Sequence, residues 1–232
     1  MRRKSHGIKV IKIEGHSIFS TNLHAGSVVI DLGVNKGEFS SSLISKFGLK
    51  SYGVEAEKDI YAKHLTSIAN LEVLNAAITN FSGETQINRN DNFCSTILEA
   101  DSHQKSGDFV QALTYEQFSQ HYGLDEIDLI KFDIEGSEIA VIDDCSDEQV
   151  LRWKQITIEF HDFVFPDLLD DVVRVQGRLR DLGFRQLHFS LDNTDVVYLN
   201  SRFFSSPLHA RLLAIIAFKY IRGFKRRYLS RL

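Results

Sequence analysis

Val28-Val29-Ile30-Asp31-Leu32-Gly33-Val34-Asn35-Lys36-Gly37-Glu38-Phe39 is an apolar strand that runs straight into a glycine-punctuated turn and the start of a helix. A strand ending in Asp-x-Gly-x-x-x-Gly can bring backbone close to a nucleotide-like ligand. Side chains at Gly33 or Gly37 would block that approach, and the helix N-terminus beyond offers free N–H groups. The next strand ends in an acid, Gly53-Val54-Glu55, 22 residues after Gly33. That is about where a carboxylate grips ribose hydroxyls in a dinucleotide site. Each feature alone also suits an ordinary strand-to-helix turn or a solvated loop acid; together they point to an adenosyl ligand. Gly-x-Gly-x-x-Gly cannot be read here, which counts against nicotinamide chemistry.

Outward from this stretch, strands and helices alternate. Strands are expected at 8–13 (paired with 17–20), 28–31, 51–54, 71–74, 127–133 and 155–160, with a closing pair at 184–189 and 194–199 joined through Leu191-Asp192-Asn193. Helices are expected at 36–47 (stopped by Gly48), 57–68, 115–121, 137–142 and 168–182 (stopped by Gly183). Ser82-Gly83 reads as a turn between short strands, and 89–108 as polar loop. This order predicts an α/β fold, a doubly wound, mostly parallel sheet whose last strand runs antiparallel. The division expected is one domain over 1–206, with 1–26 as a strand extension, followed by a basic amphipathic helix over 207–232.

The 232 residues are 43% hydrophobic and 25% charged, a globular composition. Cys94 and Cys145 show neither a disulfide framework nor metal-ligand spacing. A reducing, cytoplasmic setting is the economical expectation, and Met1-Arg2-Arg3-Lys4 is not followed by the apolar core of a signal peptide. The longest apolar run, Leu212 to Phe218, is far shorter than the roughly 20 residues a bilayer span needs. Residues 207–232 hold seven cations and no acid, leaving 20 cations against 31 acids in the body, a charge of −11. An acidic body argues against nucleic-acid partners. The basic tail could lie on an anionic membrane surface as a peripheral contact, pack on the body or bind a partner.

Ligands in such sheets sit at the carboxyl ends of the strands, which selects two further stretches. In Lys131-Phe132-Asp133-Ile134-Glu135-Gly136-Ser137-Glu138, a lysine inside an apolar strand needs a carboxylate such as Asp133 or Glu135. Asp133 and Glu135 leave the strand on one side if it stays extended, although acids there would also suit a helix N-terminus. Glu159-Phe160-His161 repeats the period of two on the next strand. If the two strands are neighbours, acids and an imidazole share one cleft. Such a cluster suits taking a proton from a hydroxyl nucleophile, or holding a divalent cation that acidifies it.

These blocks, with Asn75-Ala76-Ala77-Ile78, Ser82-Gly83 and Ser95-Thr96-Ile97, resemble the FkbM-type S-adenosylmethionine-dependent methyltransferases over roughly 28–200. The resemblance implies a class I methyltransferase fold and O-methylation of a small-molecule or glycan hydroxyl. It implies that Gly33, Asn35 and Gly37 hold the methionine part of S-adenosylmethionine and Glu55 its ribose, with Asp31 and Ala56 also at the cofactor. Ala76 and Ala77 would border the adenine, and Asp133 would close the site. The expected base is His161, oriented by Glu159 or Glu135, with a cation on Asp133, Glu135 or Glu159 as the second choice. A non-catalytic cofactor-binding module is the alternative. The acceptor and the oligomeric state are not legible.

Overall fold

The computed structural model describes residues 9–90, 93–96, 108–190 and 193–204. The expectations for residue 8, Ile97, the bulk of the polar stretch 97–107, the Leu191-Asp192 turn and the basic helix over 207–232 lie outside these residues. Among the described residues, no helix is long and apolar enough to cross a membrane.

Seven strands make the central sheet: β3 (Val28–Leu32), β4 (Lys50–Val54), β5 (Leu71–Leu74), β10 (Leu129–Phe132), β11 (Gln155–Ile158), β12 (Phe184–His188) and β13 (Val196–Asn200). Their order is β12-β13-β11-β10-β3-β4-β5. β13 runs antiparallel to both β11 and β12, and the remaining neighbours pair in parallel. The chain starts in the middle, winds outward to β5, and returns through β10, so β3 and β10 lie side by side where the winding reverses. A crevice opens at the carboxyl ends of strands at that point.

Period-two alternation gives the sheet two faces. Ile30, Leu32, Ile130, Phe132, Ile156 and Ile158 pack with α3 (Tyr115–Tyr122), α4 (Glu138–Asp144) and α6 (Leu169–Asp181). In that layer Trp153 donates to the Tyr115 hydroxyl at 2.6 Å. Val29 and Leu129 face α1 (Glu38–Phe47) together with an N-terminal hairpin, β1 (Val10–Ile13) and β2 (His16–Phe19). Three polar residues interrupt this second face in register: Lys131 pairs with Asp31 on one side and Thr157 on the other.

The structure corrects several expectations. The helix expected over 57–68 is present but shorter and of mixed type: α2 (Lys58–Ile60) runs straight into a π-helix over Tyr61–Leu65. Residues 76–113 build a second sheet, in order β6-β9-β7-β8: β6 (Ala77–Ile78), β7 (Gly83–Asn90), β8 (Phe93–Thr96) and β9 (Asp108–Leu113). The polar reading of 89–96 fails because antiparallel pairing satisfies the backbone whatever the side chains. A short α5 (Asp147–Leu151) was not expected, although Ser146 and Gln149 form a reciprocal capping box readable in sequence. β11 ends at Ile158, so His161 opens a 3₁₀ turn (His161–Phe163) and does not extend a strand.

Candidate active site

The segments that follow β3, β4 and β10 meet around one cavity. It is lined by Gly33, Asn35, Glu55, Ala56, Ala76, Ala77 and Asp133, with Val54, Glu57, Ile60, Ile78, Ile134 and Glu135. Seven of the nine residues expected to serve the cofactor therefore stand around a single space. Asp31 and Gly37 do not. Asp31 points into the sheet face instead, accepting from the Ser40 hydroxyl at 2.6 Å and facing Lys131 Nζ at 3.2 Å. Gly37 has a left-handed φ of 83°, and a Cβ there would meet Ile68 at 2.7 Å and Leu65 at 3.1 Å. Gly33, φ 82°, has no room for a Cβ because the carbonyl oxygen of Asp133 occupies that position. Both glycines are thus required by the protein's own packing.

Glu55 stands at one end, 8% exposed. Its two oxygens accept the Asn35 and Glu57 backbone N–H groups, each at 2.7 Å. Burial raises its pKa, and these two N–H groups oppose that. A carboxylate has about four lone-pair sites, so both oxygens retain capacity to accept hydroxyl donors. Asn75 braces the loop by donating to the Glu55 and Ala56 carbonyls.

At the other end, Lys131 Nζ lies 3.2 Å from Asp133 Oδ2 as well as from Asp31 Oδ1, and donates to the Gly33 carbonyl at 2.8 Å. Burial works against its charge, but the two aspartates win and push its pKa up to about 12. Burial would likewise raise Asp133; Lys131 and His16 overcome it and hold the carboxyl well below the usual range. The expectation that Lys131 meets Asp133 is met, while its second partner is Asp31 and not Glu135.

His161 is buried between two acids. Nδ1 lies 2.8 Å from Glu138 Oε1, and Nε2 3.2 Å from Glu135 Oε2 and 4.0 Å from Asp133 Oδ1. Burial favours the neutral ring, yet the hydrogen bonds to Glu135 and Glu138 raise its pKa to about 10. Both ring nitrogens are thus held by carboxylates, which favour the charged ring. That weighs against His161 as the base, because neither ring nitrogen is turned free toward an acceptor hydroxyl. Glu159, half-buried and repelled by Asp133, is instead pushed up to about 7 by burial first and that repulsion second. A carboxylate there accepts protons efficiently near neutral pH.

Two residues of this cluster were not foreseen in their roles. Glu138 belongs to the motif, but its grip on His161 and on the Ile134 and Gly136 N–H groups appears only in three dimensions. His16 arrives from the N-terminal hairpin, with Nε2 3.3 Å from Asp133 Oδ2. Glu135 also has a left-handed φ of 54°, unusual for a non-glycine residue, which bends the chain after β10 so that its carboxylate still reaches His161.

The cavity fits an adenosyl sulfonium: a buried carboxylate at the ribose end, small alanines along one wall, and glycine-permitted close packing beneath. A divalent cation does not fit. Donor atoms of His16, Asp133 and Glu159, and of Asp133, Glu135 and His161, do lie within 4.8 Å of one another. The Lys131 ammonium, however, already occupies Asp133 Oδ2, and both nitrogens of His161 are already taken up by Glu135 and Glu138.

The sheet order, the glycine turn into α1 and the acid after β4 define a class I, S-adenosylmethionine-dependent methyltransferase fold. Residues 31–186 match the methyltransferase FkbM domain, and the chain belongs to that family. No curated protein matches it. Among solved structures it is similar to an rRNA methylase from Streptococcus thermophilus (14% identity, 77% of this chain and 89% of that chain, TM-score 0.44). It is also similar to precorrin-6y C5,15-methyltransferase from Geobacter metallireducens GS-15 (11%, 77% and 80%, 0.40). A third is the ribosomal protein L11 methylase from Lactobacillus delbrueckii subsp. bulgaricus (10%, 74% and 67%, 0.39).

Proposed function

We propose that the protein O-methylates a hydroxyl of a sugar, glycan or related natural product, with Glu159 as the proton acceptor. When bound, S-adenosylmethionine supplies an electrophilic methyl group on a sulfonium, which departs as a neutral thioether. Glu55 accepts from the ribose hydroxyls, and Gly33 and Asn35 present backbone beside the methionine part. The acceptor hydroxyl is a poor nucleophile until its proton leaves; Glu159 takes that proton as the new O–C bond forms. Asp133, Glu135 and the His161 imidazolium fix the surrounding charge, so most of the rate comes from holding oxygen and methyl in line.

The observation that carries this reading is geometric: a carboxylate oxygen of Glu159 lies within 4.8 Å of one of Asp133, which lines the same cavity as Glu55. A body at −11 disfavours polyanionic acceptors such as RNA and supports an uncharged hydroxyl acceptor. The test has two arms. Calorimetry with S-adenosylhomocysteine should give binding, and labelled S-adenosylmethionine should transfer its methyl group to members of a glycan and nucleotide-sugar panel. Glu159→Gln should bind equally and transfer roughly 100-fold more slowly, within the usual reach of a general base. Binding without transfer to any hydroxyl would favour a non-catalytic module.

A further inference from the structure

Building on that reading, we propose that His16, carried by the N-terminal hairpin, is a positioning residue of the methyl-transfer site: with Lys131 it pins one oxygen of Asp133 and leaves the other turned toward His161. The hairpin precedes the family-matched residues, which begin at Asp31.

The geometry is specific. His16 Nε2 and Lys131 Nζ approach the same oxygen, Asp133 Oδ2, at 3.3 and 3.2 Å, while Oδ1 lies 4.0 Å from His161 Nε2. An ionised carboxylate only accepts, so Nε2 of His16 carries the proton. Nδ1 then faces the Thr157 hydroxyl at 3.5 Å, and the ring stands edge-on to Phe39 at 5.7 Å. The ring is fully buried and wedged over the Asp31–Lys131–Thr157 row.

The hairpin itself is fastened to the core. Asp195 accepts the Ser17 backbone N–H and the Ser17 hydroxyl, both at 2.8 Å, and pairs with Lys12 at 2.9 Å. Gln155 accepts the Phe19 N–H at 2.6 Å. Two buried polar side chains of the core thus set the height of β2, and with it the place of the His16 ring. The charged groups that face Asp133 are Lys131 from β10, His16 from β2, and Glu159 and His161 from the segment after β11; Glu135 follows it in the same turn. Without His16, Lys131 alone holds that oxygen, and the Asp133 carboxylate loses the contact that fixes its place beside Glu159, whose own oxygen lies within 4.8 Å of both His16 and Asp133.

The full chain labelled with [δ-¹³C]glutamate tests this without an acceptor, with Glu159→Gln identifying the resonance. The Glu159 midpoint is expected to shift by roughly half a unit or more in His16→Leu. It should return in His16→Gln, whose amide can donate from the position of Nε2. Should His16→Leu not fold, His16→Asn, polar but too short to reach Asp133, takes its place. An unmoved midpoint in a folded variant, or no recovery in His16→Gln, overturns the proposal. S-Adenosylhomocysteine binding by the wild-type chain is measured alongside. Its absence would sink the methyltransferase reading, whatever the midpoints do.

Discussion

The clamp on His161 makes a prediction that separates it from an ordinary histidine. Its pKa rises from 6.5 to about 10, which corresponds to roughly 5 kcal/mol of preference for the charged ring. Glu135 and Glu138 share that effect, Glu138 buried at 2.8 Å and Glu135 a third exposed at 3.2 Å. Glu135→Gln should therefore lower the His161 pKa by about one unit, worth about 1.4 kcal/mol. A folded pKa above the unfolded one stabilises fully below pH 6.5 and is lost as pH rises through about 10. Urea unfolding of wild type and variant should accordingly show a constant gap of about 1.4 kcal/mol near pH 6–7 that closes by pH 10–11. ¹⁵N shifts of the His161 ring give the midpoint directly. A wild-type ring that titrates near 6.5, or a gap that persists at pH 11, would refute the reasoning and restore His161 as a candidate base.

Glu55→Gln should weaken S-adenosylhomocysteine binding by about 1.5–3 kcal/mol, the range for charge-assisted hydrogen bonds, read by calorimetry. Lys131→Met leaves the buried Asp31 and the clamped Asp133 without their shared cation, so urea unfolding should show a loss of about 3–5 kcal/mol. Gly33→Ala should cost more than a typical substitution, because its Cβ falls on the Asp133 carbonyl at a left-handed φ. Gly177→Ala, in α6 with nothing within 4 Å, should instead gain about 0.5–1 kcal/mol, which thermal denaturation will resolve.

Local pattern made much of this molecule legible. The strand-to-glycine turn placed β3 and α1, Gly48 ended α1 in a left-handed cap, and Glu55 stood at the cavity where its spacing put it. The failures have a common cause, since each depended on a partner remote in sequence. Asp31 faces inward because period two puts it in the Lys131 row, which requires knowing that β3 and β10 are neighbours. His161 is less suited to the role of base because Glu138 reaches it from α4. His16 carried no local signal at all, sitting just after a Glu14-Gly15 turn, and gains meaning only when β2 docks beside β11.

The hairpin also bears on how the domain should be delimited. A fragment trimmed to the family-matched residues would begin at Asp31, inside β3, and would discard both strands that roof the Asp31–Lys131–Thr157 row. Three polar side chains now sealed from solvent would then be bathed in it, and the Asp195 carboxylate would lose its Ser17 and Lys12 tethers. Water reaching Lys131 would screen the very charges that hold Asp133 in place, so the minimal catalytic unit begins well upstream of the recognisable motif.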